Sequence, residues 1–151
     1  MPIGELCIRQ TVVVSRGTSV QEATKLMRQY HVGDLVVTDQ ADGKRIPVGI
    51  VTDRDLVIEV LALGLDAASL AVEDIMTRDL ATVREQEGIL ETIGRMRAKG
   101  VRRLPVVDAQ GALAGIVTVD DLVELLAGEL GELAKVISRE QKYEAETRRD
   151  G

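Results

Sequence analysis

The chain has no phenylalanine, no tryptophan and two tyrosines. Its core must therefore be built from valine, leucine, isoleucine, alanine and methionine, and the aromatic platforms on which single-stranded nucleic acid stacks are missing. A basic excess is missing as well: the formal net charge is -6, whereas binding a phosphate backbone depends on a positive surface. A single cysteine, Cys7, excludes an internal disulfide, and it shows no metal-ligand spacing with the one histidine, His31. No apolar run is long enough for a membrane helix, and the N-terminus carries no charged-then-apolar leader. These absences lead us to expect a soluble cytoplasmic protein that binds neither nucleic acid nor membrane. Catalysis is not expected either, because no nucleophile stands with a base and no metal cluster is evident. His31 has no matched partner, and Asp39-x-x-Asp42-Gly43 is too short for a calcium loop and fits a hairpin turn.

What the chain does have is a unit written twice. Gly49-Ile50-Val51-Thr52-Asp53-Arg54-Asp55 returns as Gly115-Ile116-Val117-Thr118-Val119-Asp120-Asp121. Shifting the sequence by 69 residues lays Ile3 over Val72, Cys7 over Met76, Met27 over Met96 and Leu35 over Leu104. Three extra residues after Asp39 then reduce the shift to 66 for the closing motifs, an insertion placed where a turn tolerates it. The 151 residues, 45% of them hydrophobic, suit two small units packed on each other, since a unit of about 65 residues buries too little apolar surface alone.

Each unit reads β-α-β-β-α. In the first, residues 12–14 read as a strand, and Thr18-x-x-Gln21 and Ser19-x-x-Glu22 offer alternative helix caps. Val20, Ala23, Met27 and Tyr30 follow at helical spacing. Strands are expected over 35–38 and 48–51 around an Asp42-Gly43 turn, then a helix over 53–63 ended by Gly64. The second unit predicts strands over 81–83, 105–107 and 113–117, a helix over 89–99 ended by Gly100, a turn at Gln110-Gly111 and a helix from 120. Residues 128–151 lie outside the repeat; an apolar stripe through Leu126, Leu130, Leu133, Ala134 and Ile137 continues, and the last ten or so residues are expected to fray. The divisions are thus 1–66, 67–127 and 128–151.

Thr52-x-x-Asp55 and Thr118-x-x-Asp121 have the spacing of a capping box, in which the hydroxyl and the carboxylate satisfy helix amides. The same geometry can serve a ligand: a helix N-terminus attracts phosphate, and a carboxylate three residues on can accept a ribose diol. The spacing leaves both readings open. Asp53 with Asp55, and Asp120 with Asp121, could also hold Mg²⁺ beside a phosphate.

Two units, Asp74-Ile75-Met76-Thr77 at the start of one, Leu104-Pro105-Val106-Val107-Asp108 in its middle and the doubled Gly-x-x-Thr-x-x-Asp together resemble a tandem pair of CBS domains, a Bateman module, over about residues 3–127. The resemblance, to the stand-alone bacterial or archaeal type, implies an α/β (α+β) fold of two units about a pseudo-twofold axis with a C-terminal helical tail. It implies two clefts for an adenosine nucleotide such as AMP, ADP, ATP, NAD or S-adenosylmethionine, AMP or ATP being favoured. Thr52 and Thr118 would face phosphate, Asp55 and Asp121 the ribose. Arg102-Arg103 before Leu104-Pro105 resembles the family's phosphate-reaching basic pair, and the resemblance adds Pro105, Ile116, Gly33 and Asp34 to the nucleotide-site candidates, although the aligned Gly33-Asp34 is acidic and would repel phosphate by about 1 kcal/mol at 4 Å in water. Two clefts of unequal affinity follow, with Arg54 able to offset some negative charge. The resemblance further implies a regulatory homodimer acting on a separate effector protein, with a ligand-free interaction module, a nucleotide-using enzyme and a Mg²⁺ sensor as rivals.

Overall fold

A computed structural model describes residues 1–148 as two compact units, Met1–Val117 and the segment from Thr118 onward, taken here in turn. The first unit opens with the single turn α1 (Ile3–Leu6), followed by β1 (Val13–Val14), α2 (Val20–Tyr30), β2 (Asp34–Ala41), β3 (Lys44–Thr52) and α3 (Asp53–Leu56). It continues with β4 (Val83–Arg84), α4 (Ile89–Lys99), β5 (Arg103–Val107) and β6 (Leu113–Thr118). Of the two candidate caps for α2 the structure uses Ser19, whose side chain accepts from the Glu22 amide at 3.0 Å. Val20, Ala23 and Met27 are the buried stripe. His31 closes α2 in the left-handed conformation, φ 54°, and its amide donates to Met27 O. Its role in the fold is therefore that of a helix C-cap.

Asp42 and Gly43 join β2 to β3 with φ of 51° and 75°, the pair of positive values a tight hairpin turn requires. The order in the first sheet is β1-β2-β3, with β1 parallel to β2 and β2 antiparallel to β3; the second sheet runs β4-β5-β6, with β4 parallel to β5. Leu35, Val36 and Val37 are all fully buried, so both faces of β2 are covered.

The two repeats are built into each other. Val72 and Met76, from the start of the second repeat, sit in the core formed by Val14, Ala23, Met27, Leu35, Val37 and Val51 of the first. The backbone shows the exchange as reciprocal pairs: Val72 N donates to Thr18 O at 2.8 Å, and Ile3 N to Glu87 O at 2.7 Å. Thr77 N donates to Ile50 O at 3.0 Å, and Ile8 N to Ile116 O at 2.9 Å. Each pair repeats the other with the two copies interchanged, as a pseudo-twofold relation demands. The exchange also explains the glycine that heads each closing motif. A Cβ on Gly49 would lie 2.5 Å from Met76 Sδ, and one on Gly115 would lie 2.6 Å from Ile8 O and 2.8 Å from Cys7 Sγ. Cys7 is buried and unpaired in any disulfide, and burial pushes its thiol pKa up.

Some elements depart from the sequence reading. The strand expected over 81–83 is Val83–Arg84, and the one expected over 48–51 extends from Lys44 because the hairpin continues the ladder to the turn. The helix expected over 53–63 is α-helical only to Leu56 and then opens into a π turn, Val57–Leu61, with Ala62 N donating to Val57 O at 2.8 Å. Val57, Ile58 and Val60 are β-branched, the side chains that crowd an α-helical turn most. Gly64 does terminate the segment, at φ 66°.

The second unit is one helix, α5 (Val119–Thr147), which runs unbroken through Gly128 and Gly131. The expected fraying of the last ten or so residues is corrected as far as Thr147: α5 continues to it, and Thr147 Oγ1 donates to Tyr143 O at 3.0 Å in the final turn. Residues 149–151 lie outside the described residues.

Candidate functional site

Both closing motifs form complete capping boxes. Thr52 N donates to Asp55 Oδ2 at 2.8 Å while Asp55 N donates to Thr52 Oγ1 at 3.2 Å. Thr118 N donates to Asp121 Oδ2 at 3.0 Å and Asp121 N to Thr118 Oγ1 at 3.2 Å. Around the first motif Asp53 N also donates to Gly33 O at 2.9 Å, and Arg54 N to Asp53 Oδ1 at 2.8 Å. The four amides from Thr52 to Asp55 are thus all occupied. An anion here cannot rely on open helix amides, and its donors must be side chains. The Thr52 hydroxyl, an acceptor toward Asp55 N, keeps its own hydrogen to donate.

Thr52 and Arg54 line a cleft of about 320 Å³, at the small end of the range for ligand pockets. Arg102 and Arg103, 50 residues along the chain from the first motif, line it too, Arg102 just before β5 and Arg103 at its start. The apolar part of the wall is Ile50, Leu80, Ala81, Val101 and Leu104, and Thr77 and Asp79 complete the polar part. The cleft therefore combines an apolar wall with three guanidinium-bearing residues, two hydroxyls and one carboxylate. Asp79 also lies 3.9 Å from Lys99, with its side chain in solvent.

Asp34 and Arg103 form an ion pair at 3.2 Å, both side chains largely withdrawn from water. Burial raises the Asp34 pKa above 3.8; Arg103 acts against this and Asp53 adds to it. An ion pair would ordinarily depress a carboxylate pKa, so here the desolvation penalty exceeds the attraction. The electrostatic expectation for Asp34 is modified accordingly. It does not face the cleft as a bare carboxylate but holds one of the cleft's arginines, which a ligand phosphate must share.

The sequence candidates separate into two groups. Thr52, Arg54, Arg102 and Arg103 come together in the cleft, and Asp34 joins them through Arg103. Asp55, engaged in the cap, is not part of the cleft lining, and neither is Gly33, whose carbonyl supports Asp53 from behind. Pro105 is buried in β5, and Ile116 is buried with its backbone paired to Ile8. Thr118 and Asp121 cap α5. Ile50, Thr77, Asp79, Leu80 and Ala81 were not foreseen. Ile50 is the repeat counterpart of Ile116 and could have been found by carrying that residue across the repeat. The segment from Thr77 to Ala81 reaches the cleft through the Thr77–Ile50 bond between copies, which no local pattern reveals.

Comparison with known proteins decides the family. The CBS domain model matches residues 3–62 and again 72–128. The chain belongs to the CBS-domain family. Curated relatives include an uncharacterized protein of Methanopyrus kandleri, 36% identical over 82% of this chain and 61% of that one, so the chain spans about three fifths of its length. The CBS domain-containing protein YhcV of Bacillus subtilis is 34% identical over 75% of this chain and 76% of that one. An inosine-5'-monophosphate dehydrogenase of Methanocaldococcus jannaschii is 32% identical over 80% of this chain, which corresponds to 22% of the dehydrogenase.

Solved CBS structures share the fold. An uncharacterized conserved protein from Pyrococcus horikoshii superposes with TM-score 0.72 at 34% identity, covering 82% of this chain and 90% of that one. The CBS domain pair of protein MJ0100, solved with 5'-methylthioadenosine and S-adenosylmethionine, gives 0.74 at 26% identity over 85% and 98%. A CBS domain protein of Pyrobaculum aerophilum complexed with AMP gives 0.71 at 25% over 80% and 89%. The mixed α+β architecture with two three-stranded sheets is therefore that of a CBS pair. No helix of the described residues is long and apolar enough to cross a membrane.

Proposed function

We propose that this CBS pair is a regulatory module that takes an adenosine nucleotide in the cleft between the first closing motif and Arg102-Arg103. The observation that carries this reading is the cleft itself, where an apolar slot and three arginines meet beside the free hydrogen of Thr52. The base would occupy the wall of Ile50, Leu80, Ala81 and Val101. The phosphate would be held by Arg102, Arg103 and Arg54, guanidinium groups being suited to bidentate contact with phosphate oxygens. The ribose diol would be accepted by Asp55 if the cap opens or by Asp79 if it does not. Relatives that hold AMP, or S-adenosylmethionine and 5'-methylthioadenosine, support an adenosine-type ligand. Mg²⁺ enters, in this reading, only with a polyphosphate.

The output would be linkage. A ligand bridging the two repeats favours one arrangement of the homodimer, or of a separate effector protein, by no more than its differential affinity for the two states. Titration calorimetry with AMP, ATP, NAD, S-adenosylmethionine and inorganic phosphate tests the proposal. We expect at least one adenosine ligand to bind below about 1 mM, and the Arg102→Ala/Arg103→Ala double variant to weaken AMP roughly tenfold or more while adenosine changes less. Absence of any binding below about 1 mM would leave the ligand-free interaction module as the better reading. Binding of AMP that the double variant leaves unchanged would remove this cleft as the site.

A further inference from the structure

Helix α5 extends beyond the family match, which ends at 128. Its outer part carries Val123, Leu126, Leu130, Leu133 and Ile137 in steps of three and four residues, the spacing of a coiled-coil seam. All five are exposed, Leu130 to 67%, Leu133 to 60% and Ile137 to 58%. Large apolar side chains aligned along one face of a polar helix are the mark of an interaction surface. The charges say which partner fits. Residues 119–134 hold five acidic side chains, Asp120, Asp121, Glu124, Glu129 and Glu132, and no basic one. Residues 135–148 hold four basic ones, Lys135, Arg139, Lys142 and Arg148, against three acidic, Glu140, Glu144 and Glu146.

We infer that α5 pairs antiparallel with α5 of a second copy of this chain. A parallel pairing would lay five carboxylates against five others, whereas the antiparallel one sets each acidic half beside a more basic half. One register meets both demands. Centred between Gly131 and Glu132, it stacks Leu126 on the partner's Ile137 and Leu130 on the partner's Leu133. It also brings Glu124 beside the partner's Arg139. The flanking Ala127 and Ala134 are small enough to let the helices approach on that side. The inference does not depend on nucleotide binding, since none of these residues lines the cleft.

Two measurements on the full chain test it. In sedimentation velocity the wild type should be a dimer that weakens as salt is raised. Leu130→Lys/Leu133→Lys, both at exposed positions, should keep the far-ultraviolet dichroism and raise the dimer dissociation constant by at least about 100-fold, roughly tenfold for each leucine site lost from the seam. A wild-type monomer, or a dimer that survives the double substitution, would overturn the inference. In a Cys7→Ala background, L126C mixed with I137C should form a mixed disulfide dimer on mild oxidation, while either variant alone should not. Two copies of position 126 would then lie about 16 Å apart along the seam, beyond the reach of a disulfide. Cross-linking of either variant with itself would indicate a parallel pair and overturn the orientation.

Discussion

Replacing Gly115 by alanine puts two effects of opposite sign in competition. Gly115 does not have a positive φ, so alanine fits its backbone. By restricting the unfolded chain, that substitution should stabilise by about 0.4–1 kcal/mol. Against this, the added Cβ would lie 2.6 Å from Ile8 O, where ordinary contact begins near 3.4 Å. Ile8 O cannot retreat freely because it accepts from Ile116 N at 3.0 Å. Overpacking of this kind costs about 1–3 kcal/mol, and a strained backbone bond adds about 1 kcal/mol. The net expectation is a loss of about 1–3.5 kcal/mol, or roughly 2–14 °C in Tm for a chain of this size. At Gly49 the nearest atom is instead the thioether of Met76, which can rotate away, and the backbone oxygen it meets, Thr77 O, is farther off at 3.0 Å, so Gly49→Ala should cost less, about 1 kcal/mol. Urea unfolding followed by far-ultraviolet dichroism, at one fixed protein concentration, measures both. A Gly115→Ala protein as stable as the wild type, or more stable, would refute the claim that the glycines exist for the crossing of the repeats.

Other outcomes follow from the same structure. The raised folded pKa of Asp34 means that its contribution to stability is fully present below 3.8 and is lost as pH rises through the higher folded value. Relative to Asp34→Asn, wild-type stability should therefore fall across that acid window and then level off, as a pH series of urea midpoints would show. Above that window Asp34→Asn should also release Arg103 and tighten AMP about fivefold, near the 1 kcal/mol of one charge at 4 Å in water; unchanged affinity in calorimetry would place the phosphate elsewhere. Thr52→Ala removes a cap and should cost about 1 kcal/mol in urea unfolding, while Thr52→Ser should cost only a few tenths. Leu104→Ala empties a fully buried site beside the cleft and should cost about 2–5 kcal/mol in the same assay.

Much of the fold could be read from the sequence because its signals are local. The α4 helix from Ile89 to Lys99 and its stop at Gly100 follow from 3.6-residue spacing and a left-handed terminator. The Asp42-Gly43 turn follows from the positive φ that both residues adopt. The doubled capping boxes were legible for the same reason, since a cap needs only residues three apart. What escaped depends on atoms distant in sequence. The occupation of the Arg54 and Asp53 amides needs the turn at Gly33 to come alongside. The assignment of Arg102 and Arg103 to the cleft of Thr52 rather than that of Thr118 needs the path of the second repeat. The π turn at Val57–Leu61 came from a helical pattern that periodicity cannot distinguish from an α-helix over so few residues.

The Asp34–Arg103 pair has one more consequence. Under the 69-residue shift that relates the repeats, Asp34 and Arg103 are the same position. A position that meets its own counterpart lies on the axis of exchange, and there a duplicated chain with identical copies would set like charge against like. Asp34 facing a second Asp34, or Arg103 facing a second Arg103, would be a buried repulsion. Divergence of the copies at this one place thus acts as a recognition code. Each half accepts the other half of its own chain and penalises a duplicate of itself, which discourages units of separate chains from pairing in the wrong combination during folding.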